Sequence, residues 1–204
     1  MSGTTKFLLS LFIICSIFLN PINTLAEDIV LGGGCFWCLE HDLESLQGVE
    51  SVVSGYSGGD LINPSYENHE GHQEVVLVKY DTEVVDVDEI LRLYFRNIDP
   101  FDREGQFCDR GDSYRPIIFY QNEEENNKSK IALISASKEL NVIPENIKVE
   151  LKERGEFWVA EDYHQDFANN NELKYKFYRF ACGRDKRLDQ LWGMNARSSN
   201  KWSG

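Results

Sequence analysis

The 204-residue sequence predicts an α+β fold: a two-layer, ferredoxin-like (split βαβ) core with additions at the C-terminus. Three observations carry this expectation. Apolar runs and helical spacings follow in the order strand, helix, strand, strand, helix, strand; no repeat or linker interrupts them; and 42% hydrophobic residues are enough for one core without staples.

Asp28-Ile29-Val30-Leu31 reads as a short buried strand, and Leu39 to Leu46 recurs at helical spacing, so Cys35 opens a helix. Gly48 to Ser57, with Val49, Val52 and Val53, is a second strand. A polar loop, Asp60 to His72, leads to the strand Gln73–Tyr80. Val87 to Phe95 is a helix with Ile90, Leu91, Tyr94 and Phe95 on one face, ended by Asp99-Pro100. A long polar connection reaches Arg115, and connections of that length inside a domain tend to be functional. Beyond it come a strand at Ile117–Tyr120, a surface helix at Glu123–Leu140, a strand at Ile147–Leu151, and a helix from Glu161 to Phe180 that runs into a charged tail.

The first 26 residues differ in composition from the rest. Lys6 is their only charge, Phe7 to Leu19 is an apolar run too short for a membrane span, and Thr24-Leu25-Ala26 supplies small residues before Glu27. This is the layout of a signal peptide cleaved near Ala26, leaving residues 27–204 as a single exported domain, periplasmic or secreted. The formal charge of -13 argues against nucleic acid or anionic lipid as a partner, and no stable membrane association is expected.

Four cysteines remain beyond the signal: Cys35, Cys38, Cys108 and Cys182. Cys35 and Cys38 are one helical turn apart, too close for their bridge to constrain an unfolded chain much, so the spacing points to redox chemistry. At a helix start the first-turn amides favour an anion, which predicts a lowered pKa for Cys35. A lone CxxC, without a second such pair or an HxxxH spacing, is a poor zinc signature, and no metal is expected. Glu74, beside Val75, Val76 and Leu77, has the surroundings that raise a carboxyl pKa, although its position also suits an exposed residue at a strand start. Tyr66 and Tyr114 read equally well as packing residues. Phe36 and Trp37 are either core or an apolar wall for whatever Cys35 attacks. His41 and His69 read as surface, His72 as a turn residue and His164 as a helix-face residue, and none is assigned a catalytic part. Thiol-disulfide exchange of the thioredoxin type is the alternative that a helix-start CxxC allows.

Six ordered segments narrow this choice: Gly34-Cys35-Phe36-Trp37, Gly55-Tyr56-Ser57-Gly58-Gly59, Asn63-Pro64-Ser65-Tyr66, Gly71-His72-Gln73-Glu74, Asp109 to Arg115, and Ala160-Glu161-Asp162-Tyr163-His164-Gln165. Together they resemble the peptide methionine sulfoxide reductases of type A over nearly all of residues 28 to 183. The resemblance implies that Cys35 attacks the sulfur of a methionine S-sulfoxide, free or in an oxidised protein. It further implies that Glu74 donates a proton to the oxygen with Tyr66 and Tyr114 as hydrogen-bonding partners, that Phe36 and Trp37 hold the methyl group, and that Asp109 orients the polar wall. Cys35 is left as a sulfenic acid that a second thiol condenses into a disulfide, and a thioredoxin or thioredoxin-like donor resets it, with no metal, flavin or nucleotide. Many members carry Gly at the position of Cys38 and resolve through a cysteine near the C-terminus. This chain has both Cys38 and Cys182, and proximity favours Cys38, with Cys182 as a second relay. A monomer is expected.

Overall fold

The computed structural model describes residues 26–203, so the expected signal peptide, apart from its last residue, lies outside the described residues. The elements in chain order are β1 (Ala26–Gly32), α1 (Phe36–Glu44), β2 (Val49–Ser57), β3 (Gln73–Asp81), α2 (Val87–Phe95), β4 (Gly105–Gln106), β5 (Asp109–Arg110), β6 (Ile117–Tyr120), α3 (Glu123–Glu139), β7 (Glu150–Glu153), β8 (Phe157–Val159), α4 (Phe167–Asn170), α5 (Glu172–Cys182) and α6 (Arg184–Trp192). Six strands form one mixed sheet in the order β7-β6-β1-β3-β2-β8, parallel only between β6 and β7. The remaining two, β4 and β5, pair as a small hairpin. Among the described residues no helix is long and apolar enough to cross a membrane.

Alternation along the strands divides the core. Ile29, Leu31, Val76, Val78 and Ile118 face the large cluster shared with α1, α2, α3 and α6, whereas Val30, Val75, Ile117 and Phe119 form a smaller one on the other face. Caps set the helix starts: Asp86 accepts from the Glu89 amide at 2.8 Å and Asn122 from the Glu125 amide at 3.0 Å.

The C-terminal third departs from expectation in four places. Glu161 to Phe180 is not one helix. Gln165 spends its amide on the sheet edge, accepting from the Ser54 N–H at 3.0 Å and donating to the carbonyls of Ser54 at 3.0 Å and Ala160 at 2.9 Å. That pins the chain as extended backbone and a short 3-10 turn before Asp166, at φ 52°, starts α4. The strand expected at Ile147–Leu151 lies at Glu150–Glu153, because its partner β6 begins at Ile117 and the ladder starts with Ile117 opposite Glu150. β8 and α6 were not expected. In α6, Arg184, Leu188 and Trp192 recur every four residues and are buried, a helical spacing hidden by the charges between them.

The last residues are clasped by a buried ion pair. Arg96, 0% exposed, donates to both carboxylate oxygens of Glu139 at 3.0 and 2.7 Å and to the carbonyls of Ser198 and Asn200 at 3.0 and 2.6 Å. Arg96→Met strands the Glu139 carboxylate in the interior. The expected loss is ~3–5 kcal/mol in urea unfolding, against a near-neutral outcome if the pair were dispensable.

Candidate active site

β1 ends in Gly32-Gly33-Gly34, and this turn leaves no room for side chains. A Cβ on Gly33 would lie 2.6 Å from Ile98 Cγ2, and Gly34 sits at φ 85° with Gln106 Cβ 2.8 Å from where its own would be. The Tyr94 hydroxyl fixes the turn by donating to the Gly32 carbonyl at 2.7 Å, while the Gly34 amide donates to the Tyr114 carbonyl at 3.1 Å. The chain then enters α1 with Cys35 as its N-cap, 6% exposed.

Glu74 shares the face of β3 that carries Val76 and Val78, so its side chain points beneath the start of α1. There its Oε2 accepts from the Phe36 amide at 3.2 Å, and the Tyr114 hydroxyl hydrogen-bonds it as well. Burial outweighs both contacts: the carboxyl is 1% exposed and its pKa is pushed up to about 8, leaving it protonated at neutral pH.

The same arrangement overturns the expected low pKa of Cys35. The first-turn amide of Phe36 serves Glu74 rather than the sulfur, and burial, followed by the neighbouring Cys38 and Glu74, drives the Cys35 thiol well above its ordinary value. The Tyr178 hydroxyl pulls it down.

Around Cys35 lies a cavity of about 60 Å³ lined by Phe36, Trp37, Tyr66, Glu74, Asp109, Tyr114 and Tyr178, room for one small group. All the residues expected at the site apart from the second thiols therefore meet in one place. Trp37 is stacked on Phe167 at 3.7 Å and donates through Nε1 to His164 Nδ1 at 3.0 Å, which assigns the His164 proton to Nε2. Asp109 accepts from the Tyr178 hydroxyl at 2.7 Å and from the Cys35 amide. Tyr66 stands at the mouth, its amide donating to Glu161 Oε1 at 2.9 Å. A larger cavity of about 330 Å³, lined by Glu27, Asp28, Glu124 and Glu125 among others, holds none of these residues.

Three contributors escaped the sequence reading. His164 is buried between Phe36, Trp37 and Tyr66 rather than displayed on a helix face. Glu161 holds the Tyr56 hydroxyl at 3.0 Å as well as the Tyr66 amide. The segment Ala160–Gln165 carried both, but its expected helix concealed their direction. Tyr178 had no local signal, since only the packing of α5 brings it to Cys35. His72, expected as a turn residue, is buried, its Nε2 against the Leu61 carbonyl at 2.9 Å.

The cysteines fall into two pairs. Cys35 and Cys38 are free and buried, with Cys35 donating a hydrogen bond to Cys38. Cys182, expected as a free relay thiol, is joined to Cys108 in a disulfide with Cα atoms 5.0 Å apart, and Cys108 itself is exposed. This bridge ties the β4–β5 hairpin to the end of α5 beside Asp109. The cluster Cys108, Asp109 and Cys182 has atoms of the types that ligate metals, but the disulfide leaves it no thiolate.

The family model for peptide methionine sulfoxide reductase matches residues 27–196. A Vibrio cholerae protein named peptide methionine sulfoxide reductase MsrA/MsrB is 43% identical over 179 residues, 86% of this chain and 47% of that protein, so this chain spans about half its length. A Rhizobium meliloti protein named peptide methionine sulfoxide reductase MsrA 2 is 39% identical over 94% of this chain and 96% of its own. Among solved structures, methionine sulfoxide reductase A of Corynebacterium diphtheriae superposes with a TM-score of 0.64 at 29% identity, covering 72% of this chain and 76% of its own. Reduced Mxr1 of Saccharomyces cerevisiae, at 23% identity and a TM-score of 0.66 over 72% of this chain and 86% of its own, shares the fold. A match over almost the whole described chain, with full-length relatives near 40% identity, leads to one conclusion: the chain belongs to the peptide methionine sulfoxide reductase family.

Proposed function

We propose that this protein reduces the S epimer of methionine sulfoxide, free or within oxidised proteins, to methionine, using Cys35 as nucleophile and Glu74 as acid. The observation that carries the reading is a buried, protonated carboxyl beside a thiol in a cavity with an apolar wall. The methyl group on sulfur packs against Phe36 and Trp37, while the oxygen faces Glu74, Tyr66 and Tyr114. Cys35 attacks sulfur as the oxygen takes the thiol proton and the Glu74 proton; the sulfur–oxygen bond breaks, and the water so formed adds to the Cys35 sulfur, which breaks the Cys35–sulfur bond, releases methionine, returns a proton to Glu74 and leaves Cys35 as the sulfenic acid. Asp109 orients this wall through Tyr178 and the Cys35 amide. Cys38 then forms the disulfide with Cys35 and water departs. The paired state of Cys182 supports Cys38 for this step over Cys182, which remains available for a relay only after Cys108–Cys182 is reduced. A thioredoxin-like dithiol restores the thiols, and the chemistry needs no cofactor. The site is complete within one chain, which supports action as a monomer.

Two further readings belong here. The antiparallel strands in the order β6-β1-β3-β2, with α1 between β1 and β2 and α2 between β3 and β6, support a ferredoxin-like split βαβ core. The composition of residues 1–26 supports export of residues 27–204, which places the electron donor in that compartment too.

Epimer-resolved assays should show turnover of the S form only, abolished in Cys35→Ser. Peptide mapping after one turnover without reductant should find Cys35 joined to Cys38 and Cys108 still joined to Cys182; a Cys35–Cys182 bridge with Cys38 free would refute the resolving role.

Because the acid must carry its proton, the single-turnover rate should hold below pH about 8 and fall as pH rises through it. Glu74→Gln should slow the step by about 10²–10⁴-fold and erase that limb.

N-terminal sequencing of the protein recovered outside the cytoplasm should begin at Glu27. Recovery only from the cytoplasm, with Met1 retained, would end the export reading.

A further inference from the structure

The one disulfide among the described residues lies at the edge of the active site. Cys182 ends α5, one helical turn after Tyr178 and on the same face, and Cys108 sits in the turn of the β4–β5 hairpin. A hairpin with two residues in each strand is marginal by itself, so its place depends on what grips it. Gln106 is held from one side: its Oε1 accepts from the Asp99 amide at 2.7 Å and its Nε2 donates to the Asp99 carbonyl at 2.8 Å. The Phe107 ring lies 4.6 Å from the Arg184 guanidinium. Cys108 is exposed, and it is held by the bridge and by its amide, which faces Cys182 Sγ at 3.1 Å.

Asp109 follows directly. Its carboxylate lies across the bridge, Oδ1 at 3.7 Å from Cys108 Sγ and Oδ2 at 3.9 Å from Cys182 Sγ. The same Oδ2 accepts from the Tyr178 hydroxyl at 2.7 Å, and the carboxylate also accepts from the Cys35 amide. Disulfide sulfurs carry no proton. While the bridge is closed they offer Asp109 no hydrogen bond, and its oxygens are left to Tyr178 and Cys35. Opening the bridge makes two thiols, each a new donor within reach of one carboxylate oxygen, and it cuts the covalent tie between the segment that carries Asp109 and the helix that carries Tyr178.

We propose that the Cys108–Cys182 bridge is a redox-sensitive positioning element for the reaction at Cys35: closed, it holds Asp109 and Tyr178 against the nucleophile, and opened by a dithiol it releases them and slows the attack on the sulfoxide. Opening takes two electrons and two protons from the dithiol, which becomes a disulfide itself and leaves thiols at Cys108 and Cys182. Cys108, being exposed, is the sulfur that an incoming thiolate reaches. Neither cysteine of the bridge touches substrate; both act through Asp109, as positioning residues. The proposal rests on the orienting part given to Asp109 above and is independent of which thiol resolves the sulfenic acid, since methionine has already left by then.

The test is the rate of methionine release with the protein in excess over methionine S-sulfoxide. The starting state has the bridge closed and Cys35 and Cys38 free, and graded dithiothreitol opens the bridge, followed by alkylation and peptide mapping of Cys108 and Cys182. As these two become alkylatable the rate should fall by about tenfold or more, the scale on which misplaced groups act. Cys108→Ser/Cys182→Ser should be equally slow at every dithiothreitol concentration. Asp109→Asn should be slow as well, and opening the bridge in that chain should cost less than about twofold, because two changes that act through one group do not add. An open bridge with an unchanged rate overturns the proposal. So does an equal further loss in Asp109→Asn, the mark of a general loosening of the fold. If the serine pair does not fold, the wild-type and Asp109→Asn titrations decide. An Asp109→Asn chain as fast as the wild type would remove the orienting part of Asp109 and this proposal with it, whereas a slow Asp109→Asn beside an indifferent bridge removes the proposal alone.

Discussion

The carboxylate of Asp42 is the point on which the site is assembled. It sits near the end of α1, largely buried, and receives Arg179 from α5 and Arg184 from α6. Those contacts press the C-terminal helices against the helix that Cys35 begins, and α5 in turn delivers Tyr175 beside Cys38 and Tyr178 beside Cys35. Arg184 extends the tie to the carbonyls of Gly33 and Asn97, joining the glycine turn to the segment after α2. Magnitudes separate this cluster from the many ion pairs at the surface. An exposed pair such as Lys176 with Glu172 is screened by water and contributes little, whereas removing one partner from a buried pair costs about 3–5 kcal/mol.

Glu74 shows how competing effects set a proton's place. A carboxylate that accepts an amide and a phenol would ordinarily be favoured as the ion, yet at 1% exposure the loss of water outweighs both. Its occupation of the Phe36 amide also deprives Cys35 of the stabilisation that a helix start offers. Glu74 and Cys35 draw on the same few donors, so what the one gains the other loses.

Much of this was legible in the chain, for reasons that differ by region. From β1 to β6, apart from the β4–β5 hairpin that the long polar connection concealed, the strands and helices carry their own periodicity and caps, and Val87–Phe95 and Ile117–Tyr120 fall where their spacing places them. Apart from Tyr178, the residues gathered at the cavity lie in or beside the ordered motifs, and the family resemblance those motifs carry sufficed to find them. After Ala160 the chain is directed by distant partners instead. Gln165 is bound to Ser54, Cys182 to Cys108 and Arg184 to Asn97, and none of these contacts has a local signature. The direction of the Cys35 pKa was illegible for the same reason: burial under elements distant in sequence raises it most, followed by Cys38 and by Glu74.

The clasp around Arg96 grips the last residues almost wholly through main-chain carbonyls, those of Ser198, Asn200 and Lys201, while the Ser203 amide reaches Glu139. Carbonyls are common to every residue type. Apart from Trp202, whose ring lies 5.0 Å from the Arg96 guanidinium and packs on Phe95, and Ser199, whose hydroxyl donates to Glu89, the terminal segment is held by its path and its reach: a chain cut short of Ser198 would leave a buried guanidinium facing empty acceptor positions.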